Sequence, residues 1–309
     1  MARSWFLKKF FNHNGPVLGT YLLLAVGFWV IILIIMPQIS MLDYSFRNNL
    51  PPPEVGGPKD VYTLANYHHL IFGAQGADTT YNVVDLSVFV RTLMAAIFVT
   101  IFDLILCYPL AYYIGQWSGG GGIRVFVLLL IIPYWVNEIL RAFAFRIIFG
   151  DSGVINEFLM GFGLTSGPID FIRENVALYA GLGYAYILLM IFPIYTVIES
   201  LDRNQIEAAR DMGAPWWRIH WRVVIPYAKP GISSGCTMVF MLSAGALAAP
   251  QILGGPSSLW FTQIIYQWFN SGGNWPQGAA YAVVLLVTCI AIVLTVMRFF
   301  KVNMGDIGK

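Results

Sequence analysis

Charged residues stand inside long apolar runs of this chain, where charge is costly. Asp103 lies near the middle of one run, and Glu138 and Arg141 stand three apart, on one helical face, in another. An ionisable side chain surrounded by apolar residues at such depth is a functional candidate by default. Glu138 with Tyr134, Trp135 and Asn137 forms a set that would suit a cation, because an ammonium gains from a carboxylate and from aromatic faces. Pro133 frees a backbone carbonyl and bends the helix, which helps open a cavity. A structural reading stands beside this one. In it, Glu138 and Arg141 are an ion pair, Asp103 is protonated or bonded to a neighbouring helix in the bundle interior, and Arg146 snorkels outward.

A second chemical feature is the polar stretch Glu199 to Lys229. It reads as two short amphipathic helices with a break. Asn204 caps the first, with Glu207 three residues on as in a capping box. Ile206, Ala209 and Met212 share one face. Gly213 suits the left-handed position that ends a helix, and Pro215 the first position of the next. Arg218 and Arg222 follow at i,i+4, and Pro226 is expected to stop the second helix. A rigid helix-Gly-helix projection suits docking into another protein's groove. The alternative is a helix pair lying on lipid, which Trp216, Trp217 and Trp221 would favour.

The elements that position these residues are apolar helices. Of 309 residues 58% are hydrophobic and only 11% charged. A soluble fold of this length needs far more charge to cover its surface, which excludes a soluble enzyme, a nucleic-acid binder and a disordered chain. The net charge of +2 offers no bulk attraction for a polyanion. Six segments are long enough to cross a bilayer: about 17–36, 92–114, 123–149, 176–198, 231–253 and 278–300. Their uniform apolar character favours helices over a barrel. The first is too long for a secretory signal and lacks a small-x-small cleavage site, so it is expected to be retained.

Twelve of the eighteen Lys and Arg fall in one set of connections and three in the other. That asymmetry predicts both termini in the cytoplasm. The three outside loops then carry nine acids, among them Asp85, which weakly favours cations. Their length and aromatic content suggest docking or plugging rather than simple connection. Cys107, Cys236 and Cys289 lie in apolar runs with no metal-ligand spacing, and the four His do not cluster. No GxxxxGK[ST] run occurs, so the chain is not its own P-loop ATPase and is not expected to be an enzyme.

Glu207-Ala208-Ala209, three residues, Gly213, nine residues and Val223-Val224-Ile225-Pro226 resemble the EAA signature of binding-protein-dependent ABC importer permeases. Val replaces Ile and Ile replaces Leu in the last part. Further stretches are similar to the spermidine/putrescine permeases of the PotB type. They are Pro37 with Ser45-Phe46, Thr63-Leu64-Ala65-Asn66-Tyr67, Tyr108-Pro109-Leu110-Ala111-Tyr112, Ile132-Pro133-Tyr134-Trp135 with Asn137 and Arg141, and Trp275-Pro276-x-Gly278-Ala279-Ala280.

The resemblance implies an all-α polytopic membrane protein of the type I, MetI-like importer permease fold, one permease domain over 1–309. It implies residence in the bacterial inner membrane. Glu207, Ala208, Ala209, Arg210, Asp211 and Gly213 become the coupling element for a separate ATPase dimer, which binds ATP and Mg. A second permease chain and a periplasmic or extracellular substrate-binding protein complete the implied assembly. Asp103 and Glu138 depart from that pattern, where small or polar residues are expected; the two acids imply a more cationic solute or a locally neutralised pair. Iron, thiamine and sulfate permeases share parts of the same motifs. A secondary transporter would show inverted repeats with matched breaks. An integral-membrane enzyme would show clustered His, Asp or Ser. Neither pattern is visible.

Overall fold

The computed structural model describes residues 15–54, 56–73, 81–116 and 128–300, with Phe11 and Val125 besides. Among them the protein is helical, with one isolated antiparallel bridge, Arg47 to Tyr62, and no strand. Four helical stretches are long and apolar enough to cross a membrane: Pro16–Ser45, Val83–Gln116, Val176–Glu199 and Trp275–Phe300.

The first stretch comprises α1 (Pro16–Val30), a π-helical turn (Ile31–Ile35) and α2 (Met36–Ser45). Pro37 explains the widened turn, since a proline ring clashes with the carbonyl four residues back and removes a donor. A short helix, α3 (Ala65–Phe72), precedes α4 (Val83–Gln116). Residues 123–127 of the third expected span lie largely outside the described residues. The remainder is not one helix. Residues 128–131 are helical, Ile132–Trp135 form a 3-10 turn, and the chain is extended at Asn137 before α5 (Glu138–Ile148). The side chain of Asn137 restarts the helix, its Oδ1 accepting from the Ile139 N–H at 2.9 Å.

The chain continues through α6 (Val154–Gly161) into α7 (Val176–Glu199), the most enclosed of the long helices, which packs on α4 and on α10 (Ile225–Ala244). Close approach of α7 and α10 depends on small residues. A Cβ at Gly231 would stand 2.4 Å from the Pro193 carbonyl oxygen. The fifth expected span is also interrupted. After Gly245 and Ala246 the backbone turns into α11 (Ala248–Leu253). The break is satisfied from outside the helix, because Thr262 Oγ1 donates to the freed Ala246 carbonyl at 2.6 Å. After α11 come α12 (Phe261–Asn270) and α13 (Trp275–Phe300), which pack on each other and complete the described residues.

Candidate functional site: the polar projection and the broken third segment

The polar projection begins at α8 (Arg203–Asp211). Its N-cap is Asp202, whose carboxylate accepts from the Asn204 N–H at 3.0 Å. This corrects the expectation of an Asn204 cap. Asp202 lies two residues earlier and its anion also favours the positive helix end. The helix closes in a Schellman arrangement: the Ala214 N–H donates to Ala209 at 3.1 Å and the Gly213 N–H to Arg210 at 2.8 Å. Gly213 has φ +76, the left-handed conformation that its spacing predicts. Pro215 is the N-cap of α9 (Trp216–Ile219), one residue before the predicted position.

Pro226 does not end the second helix. A π-helical turn, His220–Val224, absorbs the proline, and the helix runs on into α10. The turn before Pro37 has the same design. Two helical turns of the projection are therefore mechanically continuous with a long core helix.

The projection has two faces. Ile206, Ile219 and Val224 are buried in the same core as Ile198, Ala111 and Ala228. Glu207, Ala208, Arg210, Asp211 and Gly213 are exposed, Ala209 is half-buried, and Met212 is 87% exposed. The loop is tied to the end of α4. Arg203 Nη2 donates to the Gln116 carbonyl, and Gln116 Nε2 to the Ile198 carbonyl at 3.2 Å. His220 Nδ1 lies 2.8 Å from the Tyr108 hydroxyl, with its ring between Trp216 (4.2 Å) and Tyr112 (4.4 Å). Burial holds its imidazole below the ordinary value of 6.5, so it is neutral at pH 7. Sequence reasoning named the Tyr108–Tyr112 stretch and the loop separately. Nothing in either indicated that they meet.

The cation-suited set surrounds the break before α5. Trp135 is 85% exposed, Tyr134 and Asn137 are exposed, and Glu138 and Arg141 are half-buried. Among the described residues the ion pairs do not include Glu138 with Arg141, so the structural pairing is not what holds them. Arg141 instead sits 5.2 Å from the Tyr134 ring centroid and donates to the Ala185 carbonyl at 3.5 Å, with its Nε unpartnered among the described residues. Tyr186, buried on α7, lies within interaction range of Glu138, Arg141 and Tyr134 and was not singled out by the sequence. Arg146 donates to the Ile252 carbonyl of α11 rather than reaching outward.

Asp103 is apart from this set. It is 1% exposed, its Oδ2 has no partner among the described residues, and a Cβ at Gly183 of α7 would stand 2.9 Å from its Oδ1. The carboxyl therefore occupies the space that a glycine leaves in the α4–α7 contact. Among the described residues no group of three or more His, Cys, Asp or Glu is placed to hold a metal ion.

A family model described as binding-protein-dependent transport system inner membrane component matches residues 108–302. The spermidine/putrescine transport system permease protein PotB of Salmonella typhimurium (strain SL1344) is 31% identical, over 87% of this chain and 89% of that protein. PotB of Escherichia coli (strain K12) is 30% identical, over 87% and 93%. The inner membrane ABC transporter permease protein YdcU of the same strain is 28% identical, over 94% and 92%. Among solved structures, a chain of a bacterial ABC transporter that imports the acidic polysaccharide alginate superposes with a TM-score of 0.67 at 17% identity, covering 96% of this chain and 98% of that one. That likeness speaks for the fold.

Proposed function

The chain belongs to the family of binding-protein-dependent transport system inner membrane components, the permease subunits of ABC importers; from that premise we propose that it carries a small cationic solute of the spermidine/putrescine type inward. The observation that carries the solute class is the identity to PotB over most of both chains. The Tyr134, Trp135 and Glu138 set supports it, since an alkylammonium is stabilised by a carboxylate and by aromatic faces.

In this reading the chain crosses the membrane six times with both termini in the cytoplasm, and the third and fifth crossings are broken helices. Backbone interruptions at membrane depth are tolerated where they line a cavity or are satisfied by neighbours. The exposed Glu207–Gly213 face docks into a separate ATPase, which holds ATP and Mg, and a related second permease completes the pore. A loaded binding protein docks on the outer loops. ATP-driven closure of the ATPases moves α8, and Tyr108, His220 and the unbroken helix into α10 pass that motion to the core. A switch of this kind needs an element with different contacts in its two states. Glu138 and the aromatics then meet the solute, with Asp103 becoming a second contact as α4 and α7 part.

The test is uptake of radiolabelled spermidine by proteoliposomes holding the whole complex. Uptake should require ATP, the ATPase and the binding protein. Saturable transport of sulfate or thiamine without transport of spermidine would refute the solute class while leaving the permease role intact.

A further inference from the structure

A cavity of about 650 Å³ lies between the first turn of α4 and α12, lined by Asp85, Leu259, Gln267, Trp268 and Ser271. Its carboxylate is held in place by neutral donors. Asp85 Oδ2 accepts from the Tyr281 hydroxyl at 2.6 Å and from Asn82 Nδ2 at 2.7 Å. Tyr281 is fully buried, and its oxygen also lies 3.1 Å from His69 Nδ1. The Trp268 ring stands edge-on to His69 at 5.6 Å and to Tyr281 at 6.3 Å.

Asn82 caps α4, its Oδ1 accepting from the Asp85 N–H at 3.3 Å, so the Asp85 carboxylate is not needed as the cap. Here a buried tyrosine on α13 fixes it as well, reaching across the fold to aim the group beside an indole. No Lys or Arg pairs with Asp85 among the described residues, and residues 74–80, just before it, contain neither. Its charge is thus oriented but not neutralised. Among the described residues no group of His, Cys, Asp or Glu around Asp85 is placed to hold a metal ion, and a single carboxylate is a poor cage for one. A primary ammonium needs what the cavity offers: one anion, an aromatic wall, and the Gln267 and Ser271 oxygens for its remaining donors.

We propose that this cavity is a receiving site for the primary ammonium group of an aliphatic amine, separate from the Glu138 break. It rests on the polyamine reading and extends it. In the proposed orientation the cavity faces the outer side, where it meets the solute before the broken third segment does.

The test uses the purified importer complex without its binding protein, with spermidine and n-butylamine as probes in equilibrium binding. Saturable binding of both is expected. Asp85→Asn should weaken it about tenfold, the scale of one charge-assisted hydrogen bond. Trp268→Leu should weaken both probes as well. Asn retains an acceptor for Tyr281 and Asn82 but loses the charge, so the thermal midpoint of Asp85→Asn should fall only slightly, and if it falls further, Trp268→Leu decides. Wild-type affinity in both variants, or no saturable amine binding to the complex, overturns the site. Spermidine uptake is measured separately. Uptake with unaltered binding in the variants would sink the site alone, whereas Asp85-dependent butylamine binding without spermidine uptake would sink the polyamine reading alone.

Discussion

The Tyr108 hydroxyl and His220 Nδ1 lie 2.8 Å apart, joining the end of α4 to the polar projection through one hydrogen bond between side chains 112 residues apart. With Trp216 and Tyr112 enclosing the imidazole, the bond is shielded from water. Removing it leaves a buried ring nitrogen without a partner. Tyr108→Phe should therefore destabilise the protein by about 1–3 kcal/mol. If the pair also transmits motion, the variant should hydrolyse more ATP per solute imported. The ratio of ATPase rate to uptake, measured in one proteoliposome preparation, checks this. A lowered midpoint with an unchanged ratio would leave the pair a purely structural tie.

The same histidine predicts a pH dependence. Burial lowers its pKa in the folded protein below the ordinary 6.5. Below that value the unfolded chain takes up a proton that the folded protein resists. Its stabilising contribution is full above about pH 6.5 and is lost as the pH falls. The thermal midpoint should drop between about pH 7.5 and 5.5, and the drop should be smaller in His220→Gln. Equal drops in the two proteins would assign the effect to other groups.

Asp103 and Gly183 are matched in volume. Gly183→Ala would place a Cβ 2.9 Å from Asp103 Oδ1, in a packed contact with little room to yield. A destabilisation of about 1–3 kcal/mol is expected, as for other overpacked cores. Asp103→Ser in the same chain should recover most of it. Additive losses in a double-mutant cycle would show that the two residues do not share the space.

Gly213 stands at φ +76, and a methyl added there would meet nothing within 4 Å, so its substitutions test the backbone alone. Gly213→Ala should cost about 1 kcal/mol and reduce transport modestly. Gly213→Pro is incompatible with that φ and removes the N–H that bonds Arg210, so it should abolish transport. Uptake rates of the two variants at matched expression separate these outcomes.

The helical class, the long apolar segments and the left-handed Gly213 were legible in the sequence because each rests on local composition or local backbone geometry. The shared face of Ile206, Ala209 and Met212 was legible only in part: Ile206 is buried and Ala209 half-buried, but Met212 is 87% exposed, because the helix ends there and the backbone turns away at Gly213. The bend before Glu138 was legible in Pro133, and its restart is local, at Asn137; the interruption after Gly245 was not legible, because it is satisfied by a partner elsewhere: Thr262 reaches Ala246 from another helix. Pro226 misled for a similar reason. A proline ends a helix unless a widened turn absorbs it, and core packing on both sides of His220–Val224 decides which occurs. Tyr108 with His220, Asp103 with Gly183, and Asp85 with Tyr281 each join residues far apart in the chain, beyond the reach of any local pattern.

The central claim is that this permease imports a polyamine under the control of an ATPase docked on the exposed α8 face. Uptake of radiolabelled spermidine into proteoliposomes holding the complete complex, compared with the same complex carrying Glu207→Lys, tests it most directly. Glu207 is exposed, so its reversal should leave the fold intact. The prediction is ATP-dependent uptake in the unaltered complex and its loss in the variant, with the ATPase no longer co-purifying. Uptake that needs no ATPase, or that survives Glu207→Lys undiminished, would contradict the account.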